Sequence, residues 1–212
     1  MAIKDLLITE VTPKPGAAKS IVNAWSAIPK FSGVAQRALF EALDGSTLLE
    51  LTALTSVEQI GGLTQNWDQL RNQFGADLSS DFRRQLLTFV EAPKDVADHL
   101  PTSPYLQLRH VEVPPARFTE YRAWRERTIF DVVRNSPEVE QFLAYHSVLS
   151  TDPGVMFLAG FSVDPDSYSA VFSSPRYRQI VQEAGDNFIT GGDRGLYTKL
   201  YRRVGPAQGE IQ

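Results

Sequence analysis

The stretch FLAYHSVLSTDPGVMFLAGFSV, residues 142–163, contains two segments rich in β-branched and aromatic residues on either side of one turn signal. The tetrapeptide TDPG at 151–154 has proline and glycine where a tight turn needs them. We therefore predict strands at 142–149 and 155–163 that pair as a hairpin.

Helix and strand signals surround this hairpin. Asp164 before Pro165, and Ser174 before Pro175, are typical of a helix N-cap followed by proline in the first turn. The second half is thus predicted to fold in the order β-α-β-β-α-β, the ferredoxin-like unit. The flanking strands are predicted at 106–113 and 195–204, and the helices at 117–134, from Pro165 onward, and at 174–188.

The first half predicts the same order of elements. Asp44-Gly45 is a strong two-residue hairpin signal, and Ser56 with Gln59 forms a capping-box pattern at the start of a helix. The two halves share no extended identity, so we interpret them as a repeat of architecture. The strands are predicted at 5–11, 35–43, 47–54 and 85–90, and the helices at 17–28 and 56–74.

The length of 212 residues lies between one and two domains at about 150 residues each. It suits two units, at residues 1–92 and 105–205, with a linker at 93–104 and a tail at 206–212. A single unit would leave one sheet face bare, and that face must be buried. We therefore predict an α+β fold in which two tandem ferredoxin-like units pack sheet to sheet as a pseudo-dimeric α/β barrel.

Composition narrows the classes of function. Hydrophobic residues make up 42% and charged residues 22%, as in an ordinary globular protein. The formal net charge of −4 argues against a nucleic-acid partner, and the absence of cysteine excludes thiolate chemistry and cysteine-bound metals. With no apolar run long enough for a signal peptide or a membrane span, we expect a cytoplasmic protein without a membrane partner.

The second half resembles the dimeric α/β-barrel superfamily and is similar to antibiotic biosynthesis monooxygenases. The motifs that carry the resemblance are NSP at 135–137, the hairpin at 142–154, DPDSY at 164–168 and SPRY at 174–177. The resemblance implies a pocket between the sheet and its helices, often for an apolar aromatic substrate. Members of this group include cofactor-free monooxygenases, haem proteins, cyclases and lyases, so the fold does not decide the reaction.

Arg125 is the unusual residue of the predicted helix at 117–134, because helical periodicity places it within the apolar face. A buried arginine needs a partner. It could hold a carboxylate, a phenolate or an oxyanion in a pocket, or it could form a structural pair with a carboxylate such as Glu50 or Glu112.

Two histidines lie on apolar strand faces and are candidate general bases. Alternation places His110 with its leucine neighbours on one strand, and His146 with Phe142 on another. Tyr145 points to the opposite face from His146, so the two compete for the side that faces the helices. His99 falls in the linker, and no histidine pair has helical metal-ligand spacing, so we predict no metal site.

We predict an enzyme of secondary metabolism, such as antibiotic biosynthesis, that oxygenates a small hydrophobic aromatic substrate with molecular oxygen and without a cofactor. The catalytic candidates are His146, His110 and Arg125, and the substrate-binding candidates are Trp124, Tyr121, Tyr145, Phe157, Phe161 and Phe172.

Three alternatives stay open: a haem-dependent lyase or oxygenase, a cyclase of polyketide type, and a non-catalytic ligand-binding module. Related families commonly hold haem through a histidine on a helix under the sheet, and here no predicted helix contains a histidine. The protein could act as a monomer or a homodimer.

Overall fold

The computed structural model describes residues 2–29, 31–191 and 196–204. Within these ranges the chain forms eight strands and six α-helices, an α+β architecture. In chain order they are β1 Asp5–Val11, α1 Ala18–Ser26, β2 Val34–Ala42, β3 Leu48–Leu54, α2 Thr64–Phe74, β4 Arg83–Lys94, β5 Tyr105–Val111, α3 Phe118–Arg127, α4 Ile129–Asn135, β6 Gln141–Leu149, β7 Val155–Phe161, α5 Pro165–Val171, α6 Pro175–Asn187 and β8 Leu196–Val204.

The eight strands form one closed antiparallel barrel in the order β1-β3-β2-β8-β5-β7-β6-β4. Each half contributes a four-stranded sheet, β4-β1-β3-β2 or β8-β5-β7-β6, and the two sheets join at both edges. The joining pairs are β2 with β8 and β4 with β6. The predicted tandem ferredoxin-like barrel is confirmed, and closure also leaves these sheets without an unpaired edge.

The barrel interior is a shared apolar core, as a pseudo-dimer requires. Alternate residues of each strand point inward, because side chains of a strand alternate between its faces. Both units supply fully buried side chains, among them Leu6, Phe40, Leu49, Leu51, Leu106, Leu143, Leu158 and Tyr201.

One end of the barrel is covered by the segment that joins the two units. Val96 and Leu100 are buried in the interior core. The Leu100 amide donates to the Gln36 side chain at 2.8 Å, and the Ile3 amide donates to the His99 carbonyl at 3.2 Å. The strand β4 extends to Lys94, into the segment predicted as linker, and the division of the chain into two domains stays a prediction.

The helix predicted at 117–134 is interrupted at Thr128, whose φ of −122° and ψ of −81° lie outside the helical region. The Thr128 hydroxyl donates to the Trp124 carbonyl at 2.8 Å, a local bond that competes with regular helix. After the interruption, Phe130 and Val133 are buried against the sheet, whereas Val132 is only partly buried.

Local capping follows the sequence signals. The Asp164 carboxylate accepts from the Asp166 amide, and the Ser174 hydroxyl accepts from the Tyr177 amide. Ser56 also caps, but it begins a 3₁₀ helix at Val57–Leu63 that precedes α2. Gly61 and Gly62, which are poor helix formers, lie in this 3₁₀ segment.

Because both sheets bury their inner faces against each other, we expect the two units to unfold together. Phe40→Ala removes a fully buried ring of the first unit and should cost about 3–5 kcal/mol. Urea unfolding followed by tryptophan fluorescence and by far-ultraviolet circular dichroism should show one shifted transition for both signals.

Leu149→Ala is the control, since Leu149 is 74% exposed and its truncation should change stability by less than about 0.5 kcal/mol. Two separated transitions in Phe40→Ala, with the second unit still folded, would contradict a cooperative barrel.

Candidate functional site

The space between the helices and the sheet of the second unit is packed with aromatic side chains. Tyr121 and Trp124 stack with ring centroids 5.9 Å apart, and both join the cluster that contains Phe157. A cavity among the described residues of this layer measures about 20 Å³. That volume is close to what a single water requires, so these three candidates meet in a packed core.

Phe161 and Phe172 lie in the same buried layer on either side of Tyr168. The Phe161 and Tyr168 rings stack at 3.7 Å between centroids, and Tyr168 lies 5.1 Å from Phe172. The Tyr168 hydroxyl donates to Gln107 at 3.2 Å. The aromatic candidates of this layer therefore fill space for one another.

Arg125 is fully buried and is paired with Glu91 of the first unit. Its Nε donates to Glu91 Oε1 at 3.0 Å, and its Nη2 donates to the same oxygen. Arg122 donates to the other carboxylate oxygen at 3.0 Å. The pairing partner is thus neither Glu50 nor Glu112, and the catalytic role of Arg125 stays a prediction.

A β-bulge explains why Glu91 reaches Arg125. Phe89 pairs with Tyr145, and both point into the barrel, whereas Glu91 pairs with Ala144, which faces the helices. Regular alternation would place Glu91 on the same side as Phe89. The extra residue between them turns Glu91 outward, toward α3.

The charge state of Glu91 follows from two opposed effects. Burial raises the pKa of its carboxyl group, but the hydrogen bonds from Arg122 and Arg125 and their positive charges outweigh it, so the pKa is lower than usual. Glu91 is therefore an anion at neutral pH and compensates the buried Arg125 guanidinium.

His146 and Tyr145 point to opposite sides of the sheet, as alternation predicts. His146 faces the helices, with its ring edge-on to Phe118 at 5.1 Å between centroids. Tyr145 is fully buried inside the barrel, and its hydroxyl donates to the Ile3 carbonyl at 3.1 Å. Burial raises the pKa of Tyr145, so this hydroxyl stays protonated.

His110 lies on the inner face of the barrel, at the end opposite to the linker. There it borders a cavity of about 340 Å³, which is within the size range of small-molecule sites. We call this cavity the barrel mouth. Residues of both units line it: Ile8, Glu10, Thr12, Thr47, Arg83, Gln85, Leu108, His110, Asp152, Met156, Tyr197 and Lys199.

The register places His110 between two strands of its own sheet. It lies directly opposite Met156 of β7 on one side and Tyr197 of β8 on the other. Its Nε2 is 3.0 Å from the Pro153 carbonyl oxygen. Below it, Ile8 and Leu108 form the apolar floor of the barrel mouth.

A cation and an anion accompany His110 in the barrel mouth. Lys199 Nζ donates to Thr47 Oγ1 at 2.6 Å and lies 3.6 Å from Glu10 Oε1. The buried Tyr201 hydroxyl donates to the same Glu10 oxygen at 3.2 Å. This network holds the Lys199 ammonium group in a fixed position beside the cavity.

Sequence reasoning missed Glu10, Lys199 and the barrel mouth itself. A signal was present, because Glu10 continues the inward series of Leu6 and Ile8, and Lys199 alternates with Tyr201. A charged residue on an otherwise apolar strand face indicates either an ion pair or a polar end of the barrel.

The next question is which side chains could bind a metal ion or haem. Among the described residues, no three histidine, aspartate or glutamate side chains lie close enough to bind a metal ion. In the part of the second unit that the structure describes, the helices carry no histidine and the cavity bordered by Tyr121, Phe157 and Tyr177 measures about 20 Å³, so these residues do not fit a haem macrocycle. In the same described ranges, no helix has the length and apolar character that crossing a membrane requires.

No protein-family model matches the sequence, and the search of curated proteins found no match. Solved structures, however, share the fold over the whole chain. An anthrone oxidase-like protein superposes with a TM-score of 0.72 at 11% identity, covering 98% of this chain and 94% of that protein. A candidate monooxygenase from Fusobacterium nucleatum gives 0.70 at 13% identity, covering 99% and 97%.

A third structure, a ferredoxin-fold protein from Listeria monocytogenes related to antibiotic biosynthesis monooxygenases, gives a TM-score of 0.53 at 5% identity, covering 95% of each chain. The chain therefore has the fold of the antibiotic-biosynthesis-monooxygenase-like proteins, with both halves of the barrel in one polypeptide. The predicted resemblance is confirmed at the level of fold.

Removing the Glu91 carboxylate should leave a buried, uncompensated guanidinium. We expect Glu91→Gln to lower the free energy of unfolding by about 3 kcal/mol, measured by urea denaturation at pH 7. The control is Glu41→Gln, whose partner Arg202 is 60% exposed, and it should cost less than about 1 kcal/mol. Equal effects of the two changes would contradict a structural role for the buried pair.

The Glu91–Arg125 pair should also make the stability difference between wild type and Glu91→Gln depend on pH. Because the folded pKa of Glu91 is lowered, its stabilisation is complete above the unfolded value of about 4.3 and is lost as the pH falls through the folded pKa. The stability difference between wild type and Glu91→Gln should therefore shrink on acidification from pH 6 to about pH 3. A constant difference over this range would show that the ionised carboxylate is not what stabilises the fold.

Proposed function

We propose that this protein is an oxygenase that needs no bound cofactor and acts on a hydroxylated aromatic molecule of one or two rings in the barrel mouth. The observation that carries the proposal is the position of His110 in a cavity of about 340 Å³ with an apolar floor and a fixed cation. Ligand sites are typically mostly apolar, with a few well-placed polar groups.

The barrel mouth is preferred to the helix–sheet layer because of the space available. The cavity bordered by Tyr121, Phe157 and Tyr177 in that layer measures about 20 Å³, which no aromatic substrate could enter without repacking. The barrel mouth is far larger, at about 340 Å³. It lies at the low end of ligand-site volumes, which favours one or two rings over larger polycycles.

His110 would act as the general base in this reaction. It removes the proton from a phenolic hydroxyl of the substrate, and the resulting electron-rich anion transfers electrons to molecular oxygen. A carbon–oxygen bond forms at the ring carbon, and the His110 imidazolium returns its proton to the peroxide anion to give a hydroperoxide. The O–O bond then breaks as water leaves with the hydrogen of that ring carbon, which leaves a carbonyl group. One oxygen atom is retained in the product and the other leaves as water, so no external reductant is required.

Lys199 would stabilise the substrate anion. Its ammonium group is anchored by Thr47 and Glu10 before substrate binds, so little reorganisation is needed when negative charge develops. The floor formed by Ile8 and Leu108, together with Met156 beside His110, would exclude water from the ring and strengthen this attraction. In this proposal Lys199, and not Arg125 as the sequence analysis predicts, stabilises the substrate anion.

Two proteins with a similar fold, an anthrone oxidase-like protein and a candidate monooxygenase, carry names that support this proposal. A role in antibiotic biosynthesis and a cytoplasmic location stay predictions. Cyclisation or simple binding in the same cavity would give ligand binding without oxygen consumption, so the oxygen measurement separates the alternatives.

The test measures oxygen uptake with 1,5-dihydroxynaphthalene as probe, whose expected product is the hydroxynaphthoquinone plus water. His110→Ala should lower the rate by about a hundredfold or more, the usual contribution of a general base. His146→Ala is the matched control, because this strand histidine faces away from the barrel mouth, and it should retain wild-type turnover. The proposal would be contradicted if His110→Ala and His146→Ala lost the same fraction of the rate. It would also be contradicted if the wild-type protein consumed no oxygen with this probe.

A second measurement addresses the haem alternative. Because the helix–sheet layer of the second unit does not fit the macrocycle, titration with haemin should give no one-to-one Soret complex. A sharp stoichiometric Soret band that persists in His99→Ala and disappears in His110→Ala or His146→Ala would favour a haem-dependent enzyme instead.

A further inference from the structure

The turn between β6 and β7 packs against the end of β5, beside His110. His110 Nε2 lies 3.0 Å from the carbonyl oxygen of Pro153 in this turn. A carbonyl oxygen only accepts hydrogen bonds, so Nε2 must carry the proton that is donated. A neutral imidazole has one N–H group, and Nδ1 is then the nitrogen with the free electron pair.

Several hydrogen bonds fix the turn that presents this carbonyl. The Gly154 amide donates to Ser147 Oγ at 2.8 Å, and the Ser147 amide donates to the Gly154 carbonyl at 2.9 Å. The Asp152 amide donates to Ser150 Oγ at 2.9 Å. The Pro153 carbonyl is therefore held by the turn and does not depend on His110 for its position.

Glycine at position 154 allows the turn to approach β5 this closely. Its φ of +138° lies where side chains are rarely accommodated. A Cβ at this position would lie 2.4 Å from the Val111 carbonyl oxygen and 3.1 Å from His110 Nε2. Any larger residue would push the turn, and with it the Pro153 carbonyl, away from the imidazole.

We propose that this turn is a positioning device that holds the neutral His110 imidazole in the tautomer with its proton on Nε2 and leaves Nδ1 as the base of the barrel mouth. Gly154 and Ser147 are positioning residues in this device, since both act through the Pro153 carbonyl. The assignment of Nδ1 as a base rests on the proposed function, whereas the protonation at Nε2 is a property of the folded protein alone.

The experiment uses full-length protein with ¹⁵N-labelled histidine and records one-bond and long-range ¹H–¹⁵N correlations of the three imidazoles. His99→Gln and His146→Gln variants assign the signals. Above pH 8, His110 should show a directly bonded Nε2–H proton that is protected from exchange and an unprotonated Nδ1. An Nδ1–H signal for His110 in wild type would overturn the proposal at once.

Gly154→Ala should abolish the protected Nε2–H signal and lower kcat on the oxygenation probe by on the order of tenfold to a hundredfold, with KM little changed. Gly45→Ala is the matched control: Gly45 also has a positive φ, +69°, in the hairpin of the first unit, but a Cβ there has no atom within 4 Å. It should leave both the His110 signal and kcat unchanged.

Ser147→Ala provides a milder variant in case Gly154→Ala does not fold. It removes one hydrogen bond of the turn and should broaden the Nε2–H signal or speed its exchange with water. An unchanged His110 signal in both Gly154→Ala and Ser147→Ala would overturn the positioning role. A protected Nε2–H without any oxygen uptake would instead refute the proposed function and leave the positioning intact.

Discussion

Edge pairing between the two half-barrels is the constraint on which the other features depend. Each ferredoxin-like sheet has one face covered by helices and one bare face, and the bare faces can be buried only if the two sheets meet. They meet by hydrogen bonding β2 to β8 and β4 to β6. The strand β4 must pair with β1 and then continue along β6, which explains its length of 12 residues and its bulges. One of these bulges sends Glu91 to Arg125, so closure of the barrel and compensation of the buried charge arise from the same strand.

Closure also decides where a ligand could be held. A barrel of eight strands has an interior that side chains can fill, and here apolar side chains fill its middle. The segment with Val96 and Leu100 covers one end. At the opposite end the inward positions carry polar and charged residues, which keep their hydration and do not pack into an apolar plug. The barrel mouth therefore follows from the residue types at the last inward position of each strand.

The sequence predicts elements well where local chemistry decides them. The strand β1 lies at the predicted residues, and the caps at Asp164 and Ser174 are confirmed, because alternation and capping depend on few neighbours. The interruption at Thr128 and the bulge before Glu91 could not be predicted, since both depend on contacts between distant segments. For the same reason the sequence identifies His110 as a candidate base but gives no sign that the helix–sheet layer is filled. Which of two apolar faces retains space is decided by the summed volumes of all side chains in the core.

Tandem fusion gives the barrel mouth a chemistry that two identical units could not provide. The strands β1 and β5 are equivalent elements of the two units, and their inward positions correspond as Leu6 with Leu106, Ile8 with Leu108, and Glu10 with His110. The first two pairs are apolar in both units, and the second of them forms the floor of the barrel mouth. In a dimer of identical chains the third position would hold two carboxylates or two imidazoles, which would repel each other when charged. Here it holds one of each, and the Glu10 carboxylate anchors Lys199 while the His110 imidazole remains available to the cavity. The asymmetry between two equivalent positions is therefore what allows a cation, its counterion and an imidazole to occupy one opening of the barrel.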